Sequence, residues 1–112
     1  MAGPVPGTLD GLVLKAVSLG SEHGYGLLLR IQRLSNGALA VEQGALYPAL
    51  ARLEAQGLID SEWGVSENNR RAKFYALTRT GRARLEKEQS AWTAFADGMA
   101  LVLGATRADI AR

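Results

Sequence analysis

A mainly α-helical fold carrying one small β-hairpin is what this 112-residue chain predicts, and three features predict it. Three segments of helical length, each with apolar residues recurring at three and four positions, fill the first half. Two short alternating runs, LIDSEW and AKFYAL, then flank a polar, Arg-rich stretch. A long helical pattern with apolar residues at heptad steps follows them.

The lead, with Pro4, Pro6 and Gly7, is expected to be flexible, and Thr8 offers an N-cap for a first helix over residues 9–19. Leu9, Leu12, Val13, Ala16 and Val17 form its apolar stripe, and Gly20 ends it. A second helix begins near Gly24 or Tyr25 and runs to about Leu34, with Leu27, Leu28, Ile31 and Leu34 apolar. Asn36 and Gly37, residue types that tolerate a left-handed backbone, are its stop signal. Residues 38–41 make a short apolar connector. The third helix starts near Gln43 or Gly44 and takes Pro48 in its first turns, where a missing N–H costs little because early donors lack intrahelical partners. Leu46, Leu50 and Leu53 mark its core face, which leaves Tyr47, Ala51, Arg52 and Glu54 on the other.

Gly57 closes that helix, and the period drops to two. Ile59, Ser61 and Trp63 share one face and Asp60 and Glu62 the other, while Lys73, Tyr75 and Leu77 alternate with Ala72, Phe74 and Ala76. The eight residues 64–71 are too polar to pack and too many for a tight turn, so a projecting loop is expected. Thr78 or Thr80 caps a final helix that extends past Leu103. Its stripe runs through Leu85, Trp92 and Met99, joined by Phe95, Ala96, Val102 and Leu103, and Gly98 is the point where a bend or fray is expected.

Composition narrows the function. Apolar residues at 47% and charged residues at 21% describe an ordinary folded domain, and the length allows one. The absence of cysteine removes disulfides, thiolate nucleophiles and cysteine-based zinc sites. No apolar run is long enough for a membrane span and the N-terminus lacks a leader pattern, so a cytoplasmic protein is expected. The lone histidine, His23, sits in a turn before the second helix, where a capping or surface role is expected rather than metal binding or proton transfer. No nucleotide fingerprint or paired carboxylate stands out, and no enzymatic activity, cofactor or metal is expected. The net charge of +2 hides a clustered distribution. Residues 70–84 carry six cations and no acid, whereas residues 60–67 carry three acids and no base. Such a basic cluster is the footprint of a polyanionic partner, or of a solvated Arg-rich surface.

Three helices followed by a hairpin is the winged form of helix-turn-helix, in which the third helix enters the major groove of DNA and the hairpin wing touches backbone or minor groove. Residues 1–78 are read as that DNA-binding part and residues 79–112 as a C-terminal dimerisation helix, the two making one compact unit. The candidate DNA contacts are Gln43 and Gly44 at the helix start, Tyr47 and Arg52 on the exposed face, and Asn69, Arg70, Arg71 and Lys73 in the wing. Tyr25, at the start of the second helix, either reaches a phosphate or caps the core. Tyr75 reads as core, contact or both. A lone projecting helix cannot bury its stripe against its own domain, so Leu85, Trp92, Phe95, Ala96, Met99, Val102 and Leu103 are expected to meet a second copy. The rival from a different class is a winged-helix module that binds protein and never meets DNA, which the acids at 60–67 favour.

Three segments also carry a family resemblance: HGYGLLLRI at 23–31, GALYPALARLEAQGLI at 44–59 and RRAKFYALTRTGRARL at 70–85. In this order and spacing they resemble the PadR-type transcriptional regulators, in the short branch with a single C-terminal helix. The resemblance implies a dimeric repressor whose C-terminal helix makes the dimer and whose third helix and wing bind a palindromic operator on double-stranded DNA. In some relatives of that branch the dimer interface holds a pore where a flat aromatic drug stacks on a tryptophan. By resemblance Trp92 is the residue here for a small aromatic effector, against the plainer reading of a packing tryptophan.

Overall fold

The computed structural model describes residues 8–111; the expected flexible lead with Pro4, Pro6 and Gly7 lies outside them. In chain order the elements are α1 (Leu9–Ser18), β1 (Glu22–His23), α2 (Gly24–Leu34), α3 (Gln43–Ala55), β2 (Ile59–Val65), β3 (Arg71–Leu77) and α4 (Arg79–Leu103), followed by a 3₁₀ turn at Arg107–Asp109. This is a winged helix-turn-helix with a long C-terminal helix. Its sheet has three antiparallel strands in the order β1-β3-β2 rather than the expected two. The addition is the pair Glu22–His23, which aligns with Tyr75 and Phe74. Two residues are too short to show an alternating period, so only the fold reveals that strand.

Each helix ends as its residues dictate. Asn36 takes φ 52° after α2, and the Gly37 N–H donates to the Gln32 carbonyl at 2.8 Å. Gly57 takes φ 74° after α3, and the Leu58 N–H donates to Leu53 at 3.0 Å. Both stops satisfy carbonyls that a helix end would otherwise leave without donors. Pro48 needs a different account from the one expected. It is the sixth residue of α3, beyond the first turn, so the helix forgoes one bond there and is held by its packing instead. That packing is dense: Leu46, Ala49, Leu50 and Leu53 are wholly buried.

The core gathers Val13, Leu14 and Val17 of α1, Leu27 and Ile31 of α2, the α3 leucines, and Ile59 and Tyr75 of the sheet. Leu14 joins it although it lies off the expected α1 stripe. Leu34, the last apolar residue of the α2 pattern, is 60% exposed. At the junction with α4, the Thr78 hydroxyl accepts from the Gly81 N–H at 3.0 Å and donates to the Gly57 carbonyl at 2.7 Å. One side chain thus caps α4 and ties it to the end of α3.

Two further expectations are corrected. Leu85, assigned to the dimer face, is 93% buried in the core of its own chain, because α4 lies against α1 over its first turns. The helix also stays regular through Gly98 and ends at Leu103, with Gly104 as its cap. Among the described residues no helix is long and apolar enough to cross a membrane.

Candidate nucleic-acid interface

The wing is tighter than the eight-residue loop its polarity suggested. The ladder continues through Gly64 opposite Ala72 and Val65 opposite Arg71, so only residues 66–70 turn. Ser66 accepts from the Asn69 N–H at 2.9 Å and donates its own N–H to Arg70 at 2.8 Å. Asn69 sits between them at φ 58°, a conformation that Asn tolerates better than most residues. Asn69 therefore shapes the turn that presents Arg70 and Arg71.

Register then sorts the charges. Ile59, Ser61, Trp63 and Val65 lie opposite Leu77, Tyr75, Lys73 and Arg71, and since side chains alternate these eight share one face. That face begins in the core at Ile59 and Tyr75 and leaves it at Trp63, where Lys73 and Arg71 stand in solvent. Asp60 and Glu62 take the opposite face, away from the cations, whereas Glu67, the third acid of that stretch, lines the groove beside them.

Between the wing and the α2–α3 pair lies an open groove of about 1030 Å³. It brings together Tyr25, Gln43, Tyr47, Arg70, Arg71, Lys73 and Tyr75 of the expected contacts. Gly44, Arg52 and Asn69 are not among its lining residues. Arg52 is paired with Asp10 of α1, which makes it a brace between two helices. The groove also takes Trp63 and Arg33, which sequence reasoning passed over. Arg33 had a signal: Tyr25, Leu29 and Arg33 recur at steps of four and so share one face of α2.

Tyr47 is 46% exposed, and its ring lies over Gly24. A Cβ at Gly24 would come within 2.6 Å of a ring carbon, so the glycine leaves the space in which the tyrosine rests. His23 caps α2, its Nδ1 accepting from the Gly26 N–H at 3.1 Å. Arg30 donates to the carbonyls of Ala16 and Gly20 at 2.7 Å each, closing the end of α1. Burial pushes the Tyr75 phenol above its ordinary pKa, and Glu54 and Tyr47 add to the rise. Tyr75 accordingly keeps a neutral hydroxyl at the floor of the groove.

The ion pairs of the described residues involve Glu22, His23, Arg30, Asp10, Arg52, Arg84 and Glu88. Arg33, Arg70, Arg71 and Lys73 take part in none of them, so four cations line the groove outside any of these ion pairs, with Glu22 and Glu67 on the same groove. Desolvating a pair would cost energy that free surface cations do not pay. A second exposed surface runs along α4, where every described residue after Glu88 is exposed. Trp92, Phe95 and Met99 stand there at 47%, 55% and 43%, the two rings 5.5 Å apart.

Comparison with known proteins matches these features. The model of the PadR-like transcriptional regulator family matches residues 13–87, from the middle of α1 to the third turn of α4. A crystal structure of a PadR family regulator from Eggerthella lenta is 32% identical with a TM-score of 0.72, covering 89% of this chain and 85% of that one. One from Clostridium difficile is 27% identical with a TM-score of 0.73, covering 87% and 99%. A transcriptional regulator of Mycobacterium tuberculosis is 43% identical over 60 residues, which are 54% of this chain and 55% of that protein. The chain thus spans about half the length of that curated relative.

Proposed function

Taking as premise that this chain belongs to the PadR-like family of transcriptional regulators, we propose that it is a homodimeric repressor that binds a palindromic operator through α3 and the wing. Family membership makes it a DNA-binding regulator rather than an enzyme. The finer reading rests on the groove. A recognition helix presenting Gln43 and Tyr47 beside a wing bearing Arg70, Arg71 and Lys73 suits a duplex: the helix reads base edges while the wing neutralises the flanking phosphates. The observation that carries it is that these three wing cations form no ion pair among the described residues and line the same groove as Tyr47.

In this reading residues 1–78 bind DNA and residues 79–112 dimerise, with Leu85 as the seam that fixes the long helix to the domain. Trp92, Phe95, Ala96, Met99, Val102 and Leu103 meet their counterparts across a two-fold axis, which matches protein symmetry to a palindrome. The protein acts in the cytoplasm, and a small aromatic effector stacking on Trp92 relieves repression.

The test is a titration of the protein against duplex DNA from upstream of its own gene at several salt concentrations. Each replacement of Arg70, Arg71 or Lys73 by Ala is expected to weaken binding to all sequences and to lower the magnitude of the log-affinity against log-salt slope by about one. A triple variant with the slope of the unmodified protein contradicts the wing assignment. Absence of any duplex binding favours the protein-interaction alternative.

A further inference from the structure

The wing holds an aromatic side chain to which the reading above gives no task. Trp63 stands near the middle of β2 with 57% of its surface exposed, although it shares a face with buried Ile59 and half-buried Ser61. Lys73 is its direct cross-strand partner, and Arg71 is the diagonal neighbour two residues away on β3. The Arg71 guanidinium carbon lies 4.3 Å from the indole centroid and the Lys73 ammonium 5.7 Å from it. Both fall within the distance at which an aromatic quadrupole holds a cation.

An aromatic partner differs from a carboxylate in one respect that matters here. A carboxylate would cancel the charge and compete with an incoming phosphate, whereas an indole face orients a cation and leaves its charge and its edge N–H donors free. Asp60 and Glu62, the nearest acids along β2, lie on the other face of the sheet. Glu67 lines the groove, but neither cation is in an ion pair of the described residues, so the indole orders both with no carboxylate paired to them. Long side chains lose rotamer freedom when they bind, and ordering them beforehand removes part of that cost.

We infer that Trp63 is a positioning residue for nucleic-acid binding: its indole holds Arg71 and Lys73 in the arrangement in which they meet neighbouring phosphates of one strand. The inference rests on the duplex-binding function proposed above. Trp63 acts through the two cations, so its contribution exists only while they are present.

A double-mutant cycle on the full chain decides it, read by fluorescence anisotropy of a labelled duplex over a range of salt. Trp63→Leu is expected to keep the melting temperature, since the side chain is largely exposed, and to lose about an order of magnitude in affinity for every duplex sequence. Trp63→Phe retains a ring and is expected to recover most of that loss. In an Arg71→Ala, Lys73→Ala background, Trp63→Leu is expected to cost nothing further. In the free protein, the Arg71 side-chain proton signals should lie upfield through the indole ring current and return to ordinary positions in Trp63→Leu. Unchanged affinity in Trp63→Leu overturns the inference while leaving the DNA-binding reading intact. An equal loss in both backgrounds also overturns it, because Trp63 would then touch DNA itself. Arg71 signals at ordinary positions in the unmodified protein remove its geometric basis, and an unmodified protein that binds no duplex removes both readings.

Discussion

At the scale of single residues, the positions that decide the fold are those where a side chain is missing. Gly81 lies in the first turn of α4 where the helix crosses the start of β2, and a Cβ there would stand 1.9 Å from the Leu58 carbonyl oxygen. That oxygen already accepts from the Thr78 N–H at 3.1 Å, so it cannot move without loosening the junction. Gly81→Ala is expected to destabilise the protein by roughly 1 to 3 kcal/mol, the usual range for forced overpacking. Gly44→Ala, in open space on α3, is the control and should leave stability unchanged or slightly raised, since Ala replaces Gly in a helix. Urea unfolding of the two variants checks the contrast. Equal stabilities would mean that the α3–α4 junction gives way easily. Neither outcome follows from the sequence, which shows glycine at both positions and no neighbour for either.

At the scale of elements, α3 shows how one helix divides its labour. Leu46, Leu50 and Leu53 recur as a stripe and are wholly buried, as their spacing requires. Tyr47 lies off the stripe, and its ring rests over Gly24 on the neighbouring helix, half in solvent. Tyr47→Ala is expected to lower operator affinity by roughly 1 to 3 kcal/mol, the range for one lost base-level contact, with the helical circular dichroism signal retained. A variant that melts far earlier instead would make Tyr47 a structural wedge between α2 and α3. The wing illustrates the complementary limit. Alternation in β2 and β3 was legible and placed Lys73 and Tyr75 on one face, but the length of the turn was not. Gly64, Val65 and Arg71 pair through backbone groups, to which side-chain polarity is irrelevant. Arg52 shows the same limit for charge: a basic residue on an exposed face reads as a DNA contact until α1 brings Asp10 against it.

At the scale of the whole molecule, the chain extends 65 Å along its longest axis and 29 by 21 Å across, because α4 runs on beyond the domain that anchors it. Its first two turns bury Gly81 and Leu85, and its remaining length carries Trp92, Phe95, Met99, Val102 and Leu103, all exposed among the described residues. An exposed apolar band of this length is costly in water, and a second copy covers it in the proposed dimer. Sedimentation at micromolar concentration is expected to report a dimer, and Trp92→Ala to weaken it by roughly 3 to 5 kcal/mol if the indole packs at the interface. A Trp92→Ala protein that stays dimeric but whose emission no longer responds to planar aromatic compounds would assign the indole to an effector site instead. A monomeric unmodified protein contradicts both.

What the sequence determined by itself is the order and type of the main elements, since periods of 3.6 and 2 with glycine, asparagine and threonine at their ends are properties of neighbouring residues. It also placed the cations of residues 70–84 in one cluster. Tertiary structure decided which of those cations stay free and where they point. The turn at 66–70, the strand at Glu22–His23, the turning of Asp60 and Glu62 to the far face, the Arg52 pair with Asp10 and the burial of Leu85 all depend on residues brought together across the fold. A contact between distant segments leaves no periodic trace in either one, so packing and register alone turn a basic, amphipathic sequence into an oriented groove.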